Sequence, residues 1–251
     1  MINNYDILYL FGGDTDNHFV RQMIEKGCTP TKDSNAFPRF LFNDDGREIY
    51  FEKNKEDRVG KFNCLGVWNN ILRQKKAISK EPFAKAIGLK NLAEGKNIVD
   101  MSCGTGKDAL LLLNFGFKVY AYERNEIIHT LLGYYFSLLK NEKSFPSENF
   151  KLSYGNPTEL ELPFTPDVFY YDPMYGDEAN KKAAPRAQMA MFRQFVGVDL
   201  DFEECLKKAF GLANNRVVLK RPSKSKILFP KRFSHSILGK STRYDVYLTG
   251  H

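Results

Sequence analysis

From Glu81 onward, short apolar runs of strand length alternate with longer runs of helical period, and this alternation constrains the fold more than any other feature. "EPFAKAIGL" reads as a helix ending near Gly88, "NIVDM" as a strand, and "KDALLLLNFG" as a helix stopped by Gly116. "FKVYAYE" is the next strand, and "NEIIHTLLGYYFSLLKNE" is a long helix capped by Asn125. "FKLSY", "DVFYYD" and "RVVLK" are further strands, with the helix "DFEECLKKAFGLA" before the last of them. Strands that alternate with helices predict an α/β domain built on a mostly parallel sheet, covered on both faces. The late pair "FSHSIL" and "RYDVYLT" is joined by a short basic turn, so it predicts an antiparallel hairpin on the edge of that sheet.

The first third follows another pattern. "YDILYL" is a strand candidate, and "DTDNHFVRQMIEKG" a helix with Gly27 as its stop. "RFLFNDDGREIYF" carries two apolar runs around an Asp-Gly turn, a hairpin signal. "KNKEDRVGKF" reads as a polar joint leading out of that hairpin. The pattern divides the chain into a small N-terminal α/β domain over 1–75 and a larger domain over 76–251.

With 251 residues and 43% hydrophobic content, the chain can bury one sizeable core and a smaller one. No apolar run is long enough to span a bilayer, and "MINNYDILYL" has no basic stretch or cleavage-type small residues. The cysteines Cys28, Cys64, Cys103 and Cys205 are scattered, which predicts reduced thiols in a cytoplasmic protein. Neither cysteines nor histidines show metal-ligand spacing, so no metal is expected. The net charge of +7 is concentrated in "RQKKAISK" and in the acid-poor stretch Lys220 to Arg243, "KRPSKSKILFPKRFSHSILGKSTR". Such stretches suit a polyanion, nucleic acid before membrane; the plain alternative is a solvated surface.

In an open α/β sheet, ligands collect at the carboxyl ends of the strands. Three such ends carry chemistry here. In "VDMSCGTGKD", Asp100 closes a strand and Gly104 and Gly106 allow a tight turn before a helix. Glu123 ends the next strand, where a carboxylate can accept both hydroxyls of a ribose. Asn156 follows the third, with an amide able to donate to and accept from an adenine edge. Singly, these residues could be a helix cap, a surface acid and a turn former. In order, they point to an adenosine-containing ligand, with S-adenosylmethionine favoured over NAD because the loop lacks the full G-x-G-x-x-G, although Ala109 at the sixth position fits that fingerprint. No phosphate-binding loop of the G-x-x-x-x-G-K-[ST] type exists for ATP.

A fourth strand ends in "DPMY", Asp172 to Tyr175. Asp172 is placed to reach both a methyl donor and an incoming amine. Pro173 turns the chain, and Tyr175 offers an exposed flat face on which a base could stack, worth about 1–3 kcal/mol. The bland reading is a strand exit with the acid as a cap and the tyrosine as packing.

At this point the chain resembles a known family. Asp-Pro-Met-Tyr is a variant of the Asp/Asn-Pro-Pro-Tyr motif of amino-group methyltransferases. "VDMSCGTGKDALLL", "YERN", "YYDPMY", "FRQFVGVDLDFEECLKKA", "RVVLKRP" and "GKSTRYDVYL" resemble the ribosomal small-subunit RNA (guanine-N2)-methyltransferase J family over roughly Lys75 to Leu248. The resemblance implies a Rossmann-like class I methyltransferase with a seven-stranded sheet. It implies methyl transfer from S-adenosylmethionine to the 2-amino group of a guanine in small-subunit (16S) rRNA, with the rRNA or the ribosomal particle as partner. Matched to the family pattern, Lys107, Asp108, Glu123, Arg124, Asn156 and Asp172 would line the cofactor beside Asp100, Gly104 and Gly106. Lys107 stands where the family often carries arginine. Asp172 and Tyr175 would be catalytic, and Tyr175, Lys220, Arg221, Lys240 and Arg243 would meet the RNA. The competing readings are amino methylation of another polymer (adenine in DNA, or a protein glutamine) and an RNA-binding module with a degenerate cofactor pocket.

Overall fold

The computed structural model describes residues 8–11, 18–42, 48–52, 54–56, 58–159, 161–175 and 197–249. The chain divides into two compact units. The first gathers Met1–Val67 and the later segment Asn125–Phe145; the second begins at Trp68 and holds most of the remaining described residues. The units are therefore interleaved along the chain, where the sequence pattern alone draws a single division near residue 75.

The first unit is built on a five-stranded sheet of order β2-β1-β3-β4-β5. Its strands are β1 (Leu8–Phe11), β2 (Cys28–Thr31), β3 (Arg39–Phe42), β4 (Ile49–Glu52) and β5 (Arg58–Phe62). Strands β3 and β4 form the expected antiparallel hairpin; its Asp45-Gly46 turn lies outside the described residues. Helix α1 (His18–Glu25) ends before Gly27, which has φ +92°. Two elements differ from the sequence reading. The supposed polar joint contains β5, which pairs antiparallel with β4 so that Phe62 is buried opposite Ile49. β2, with the sequence "CTPT", carries no strand signal of its own; its proline is tolerated because β2 lies on the sheet edge. In both, pairing with a neighbour overrides weak local propensity. Past β5 the chain forms helices α2 (Cys64–Arg73), α3 (Lys75–Ile78) and α4 (Pro82–Ile87). The later helix α6 (Glu126–Leu139) packs on α1, with the Phe19 and Tyr134 rings stacked at 4.2 Å. The Tyr135 hydroxyl donates to the Phe62 carbonyl at 2.7 Å and fixes α6 to the end of β5.

The second unit carries a seven-stranded sheet of order β11-β12-β10-β9-β6-β7-β8. Strands β6 (Asn97–Asp100), β7 (Lys118–Glu123), β8 (Phe150–Tyr154), β9 (Val168–Tyr171) and β10 (Arg216–Pro222) run parallel. β11 (His235–Leu238) and β12 (Thr242–Leu248) form the expected antiparallel edge pair, with β12 inserted next to β10. All four residues of β9 are buried, which is why its sequence is a continuous apolar and aromatic run. Its period of two sends Phe169 and Tyr171 to one face, where they pack with Val99, Val217, Leu219 and the apolar side of helix α7 (Phe202–Leu212). Burial of each such side chain is worth about 1.5–3 kcal/mol. On the other side Tyr170 meets the ring edge of Phe83, from α4, at 5.0 Å. Gly88 closes α4 in the left-handed conformation, φ +86°, and a Cβ there would sit 2.6 Å from the Arg216 guanidinium. The chain order reverses at β6, between β7 and β9, so a crevice opens at the carboxyl ends of these strands. Among the described residues no helix is long and apolar enough to cross a membrane.

A buried ion pair locks the antiparallel edge. Arg243 Nε and Nη2 donate to the two carboxylate oxygens of Asp245 at 2.7 and 2.9 Å, and Ser236 of β11 donates to the same carboxylate at 2.6 Å. Arg243, placed by the sequence among the RNA contacts, is therefore turned into the protein at 8% exposure, because the fully buried Asp245 requires a cation. Lys240 remains exposed in the β11–β12 turn. Arg243→Ala should cost about 3–5 kcal/mol of stability by leaving Asp245 buried and unpaired. Lys240→Ala should stay within about 0.5 kcal/mol of the parent. Urea unfolding checks both, and parental stability for Arg243→Ala would return that arginine to the surface role.

Candidate active site

The crevice is shaped by the loop that leaves β6. Met101 N donates to the Tyr170 carbonyl of β9, and Cys103 N donates to the Tyr122 carbonyl of β7. The loop thus crosses the carboxyl ends from one neighbour strand to the other. Gly104 and Gly106 then take positive φ, +55° and +76°, and helix α5 (Lys107–Asn114) begins at once. A Cβ added at Gly104 would have the Ser102 carbonyl as its nearest neighbour, at 3.7 Å, so φ and not crowding calls for glycine. Gly104 N donates to Glu123 Oε2 at 3.0 Å, which joins the glycine turn to the end of β7.

Four carboxylates meet at these ends: Asp100, Asp108, Glu123 and Asp172. Asp100 is fully buried; its Oδ1 accepts from Ser102 N at 3.1 Å, and its Oδ2 has no partner among the described residues. Burial and then the Asp108 charge push its carboxyl up to about 8, against the Ser102 hydrogen bond. Asp108, in the first turn of α5, accepts from the Tyr170 hydroxyl at 2.6 Å. Lys220, at the end of β10, lies between the acids: its Nζ is 2.7 Å from Asp172 Oδ2 and 3.3 Å from Asp108 Oδ2. Burial works against the Lys220 charge, but Asp108 and Asp172 outweigh it and hold the ammonium above its ordinary range. Burial raises the Asp172 carboxyl, and Lys220 opposes that rise.

The Asp172–Tyr175 segment is held in place by its backbone and its hydroxyl. Asp172 N donates to Ser102 Oγ at 3.0 Å, Met174 N donates to Asp199 Oδ2 at 2.7 Å, and the Tyr175 hydroxyl donates to the Lys220 carbonyl at 2.9 Å. Tyr175 is not the exposed aromatic that its place after a strand suggested. Its ring is half-buried, with the Arg221 guanidinium 4.4 Å over it and Phe202 against it at 5.7 Å.

Beside this centre lies a second polar cluster. Arg124 donates to both oxygens of Asp201 at 2.9 and 3.1 Å, pairs with Asp199 at 3.1 Å, and donates to Asn156 Oδ1 at 3.1 Å. Asn156 Oδ1 also accepts from Thr158 N, and its Nδ2 donates to Asp201 at 3.2 Å. Both ends of the amide that the sequence offered to an adenine edge are thus engaged within the protein. Arg124 likewise faces acids, Asp199 and Asp201. Lys107 is exposed at the start of α5.

The structure therefore brings Asp100, Gly104, Asp108, Glu123 and Asp172 to one crevice, and it draws Lys220 in from the basic stretch to join them. Sequence reasoning gave Ser102, Asp199 and Asp201 no role. The available signal was "VDLD", two acids close together just before a helix.

Asp100 titrates with a definite sign. Its carboxyl rises from 3.8 to about 8 on folding, so the folded protein holds a proton there that the unfolded chain releases. The stability cost of ionising it grows as pH rises through that window. Asp100→Asn, which cannot ionise, should match the parent near pH 4 and exceed it increasingly toward pH 8, with Tm rising by about 2–4 °C for each kcal/mol gained. A mutant-minus-parent Tm difference that is flat with pH would overturn this assignment.

Comparison with known proteins gives the chain its family. Residues 40–249 match a family profile described as "Putative SAM-dependent methyltransferase". The chain is 36% identical over 180 residues to ribosomal RNA small subunit methyltransferase J of Thioalkalivibrio sulfidiphilus, covering 69% of this chain and 70% of that one. It is 38% identical over 171 residues to the Colwellia psychrerythraea protein of the same name, covering 67% and 62%. The latter match thus spans less than two thirds of that relative's length. A crystal structure of a SAM-dependent methyltransferase from Neisseria gonorrhoeae superposes with a TM-score of 0.66 at 24% identity, over 96% of both chains, and shows the same fold. The chain belongs to the S-adenosylmethionine-dependent methyltransferase family, among relatives named ribosomal RNA small subunit methyltransferase J.

Proposed function

We propose that this protein transfers a methyl group from S-adenosylmethionine to the 2-amino group of a guanine in small-subunit (16S) rRNA, in the cytoplasm. The observation that carries the reading is Asp172: a strand-end carboxylate fixed through its backbone to Ser102 and through its side chain to Lys220, beside the acid-lined crevice. The relatives' names supply the RNA.

The residues present fit the cofactor. Its sulfonium and ammonium groups are cationic, and the crevice collects acids; Asp100, whose carboxyl burial pushes up to about 8, has a buried Oδ2 with no partner among the described residues, and a cation beside it would favour its ionised form. Glu123, buried at the end of β7, is the acceptor for the ribose hydroxyls, and the Gly104–Gly106 turn lets the backbone approach closely. Asp108 and the first turn of α5 complete the wall. Arg124 and Asn156 support it from behind, by fixing the ends of β7 and β8. When bound, the cofactor supplies an electrophilic methyl carbon.

An exocyclic amine is a poor nucleophile because its lone pair is delocalised into the ring. Asp172 corrects this by accepting an amine hydrogen, which orients the lone pair and stabilises the positive charge that grows on nitrogen. Lys220 holds one Asp172 oxygen; the other is the acceptor we assign to the amine. Lys220 thus opposes the rise of the Asp172 carboxyl that burial and Asp108 produce, and favours its charged form. Tyr175 forms a packed wall of the base pocket.

Methylation of small-subunit RNA and particles, followed by mass analysis of nucleosides, tests the reading: N2-methylguanosine is expected, and methylated adenine or no RNA product would overturn it. Asp172→Asn should keep most cofactor affinity and lose about 10²–10³ in rate. In Lys220→Met the Asp172 carboxyl loses its opposing cation and rises further, so the acidic limb of the rate profile should move to higher pH, while Lys220→Arg should restore it. An unmoved limb would remove Lys220 from the mechanism.

A further inference from the structure

A cavity of about 650 Å³ opens on the outer side of Tyr175, between the segment leading into α7 and the loop that follows β10. Such a volume lies within the range of small-ligand sites. Its wall is mixed. Arg221, Lys224 and Lys226 bring cations, and Val198, Leu200 and Phe202 bring apolar surface. Leu200 is 88% exposed and Val198 45%, and both line the same cavity. Of the lining acids, Asp199 is paired with Arg124 and accepts from Met174 N, which leaves Glu203 against three cations. Arg221 is the informative residue. Its guanidinium lies on the Tyr175 ring, and its Nε and Nη1 are buried without a hydrogen-bond partner among the described residues. A buried donor on a charged group is costly unless an acceptor arrives, and an arginine fork matches a phosphate.

We infer that this cavity is a subsite for the nucleotide next to the target guanine, with its phosphodiester on Arg221 and Lys224 and its base against Val198 and Leu200. The inference rests on the methyl transfer proposed above and adds to it where the RNA chain runs. Tyr175 is the shared wall: its hydroxyl is bonded to the Lys220 carbonyl, and the Lys220 ammonium is bonded to Asp172. A base drawn out of its stack toward Asp172 brings its flanking phosphate to the far side of that ring. The basic stretch thus divides by depth. Lys220 and Arg243 face inward to carboxylates, whereas Lys224 and Lys226 are exposed at the cavity.

The test compares the parent with Lys224→Gln/Lys226→Gln, Arg221→Met and Arg221→Lys. A control pair, Lys118→Gln/Lys151→Gln, removes two exposed cations on β7 and β8. Methyl transfer to small-subunit RNA is measured at several salt concentrations, together with anisotropy of a labelled single-stranded oligoribonucleotide. The lysine pair alters only exposed side chains, so it reports even if Arg221→Met does not fold. The expected result is a rise in KM for RNA of about 10-fold or more, a much smaller change in kcat, and a salt slope reduced by about one unit for each phosphate no longer neutralised. Arg221→Lys, which keeps charge without the fork, should fall between parent and Arg221→Met. Unchanged KM and slope in the lysine pair, or an equal change in the control pair, would overturn the subsite. A parent that methylates no ribosomal RNA would instead overturn the proposed function, so the two failures are separable.

Discussion

The bridge from Lys220 to Asp108 and Asp172 is the constraint on which the functional half of the structure depends. Asp100, Asp108, Glu123 and Asp172 converge where the sheet order reverses, and like charges so close together resist being buried. A single ammonium at the end of β10 makes the arrangement tolerable. It sits on a strand flanked by β9 and β12, so its position is fixed by ladder pairing rather than by a mobile loop. The charge that permits the acids to coexist also ties helix α5, strand β9 and strand β10 together at the reacting end.

Much of this was legible in the chain. The alternation after Glu81 specified the parallel strands, because a strand buried on both faces must be apolar throughout, as β9 is. The strand-end acids were visible because a carboxylate after such a run has no packing reason to be there. β2 and β5 were hidden because their strand character comes from their neighbours; neither four residues containing a proline nor a polar run with a glycine signals a ladder.

The side-chain partners were less legible than the backbone. Lys220 and Arg243 belong to a run of cations that reads as one basic tail, yet these two pair with acids turned into the protein, half-buried and far away for Lys220, fully buried and on the same strand for Arg243. Net charge along a sequence counts such residues as surface, and only the pairing register separates them. Asn156 and Arg124 illustrate the same limit. Each lies at the strand end that a ligand contact would require, but each is bonded to Asp201, whose proximity across 45 or 77 residues no local pattern encodes.

The interleaving of the two units has a consequence for synthesis. The first unit includes the segment Asn125–Phe145, which follows β6 and β7 in the chain. A nascent chain that has released only its first 67 residues lacks the helix whose Tyr135 bonds to the end of β5. The amino-terminal sheet must wait, with the face that receives α6 uncovered, until strands of the other unit have already emerged. Completion of the amino-terminal core from the first 67 residues alone is therefore closed to this protein; that core waits for Asn125–Phe145, although the rest of the second unit emerges later still.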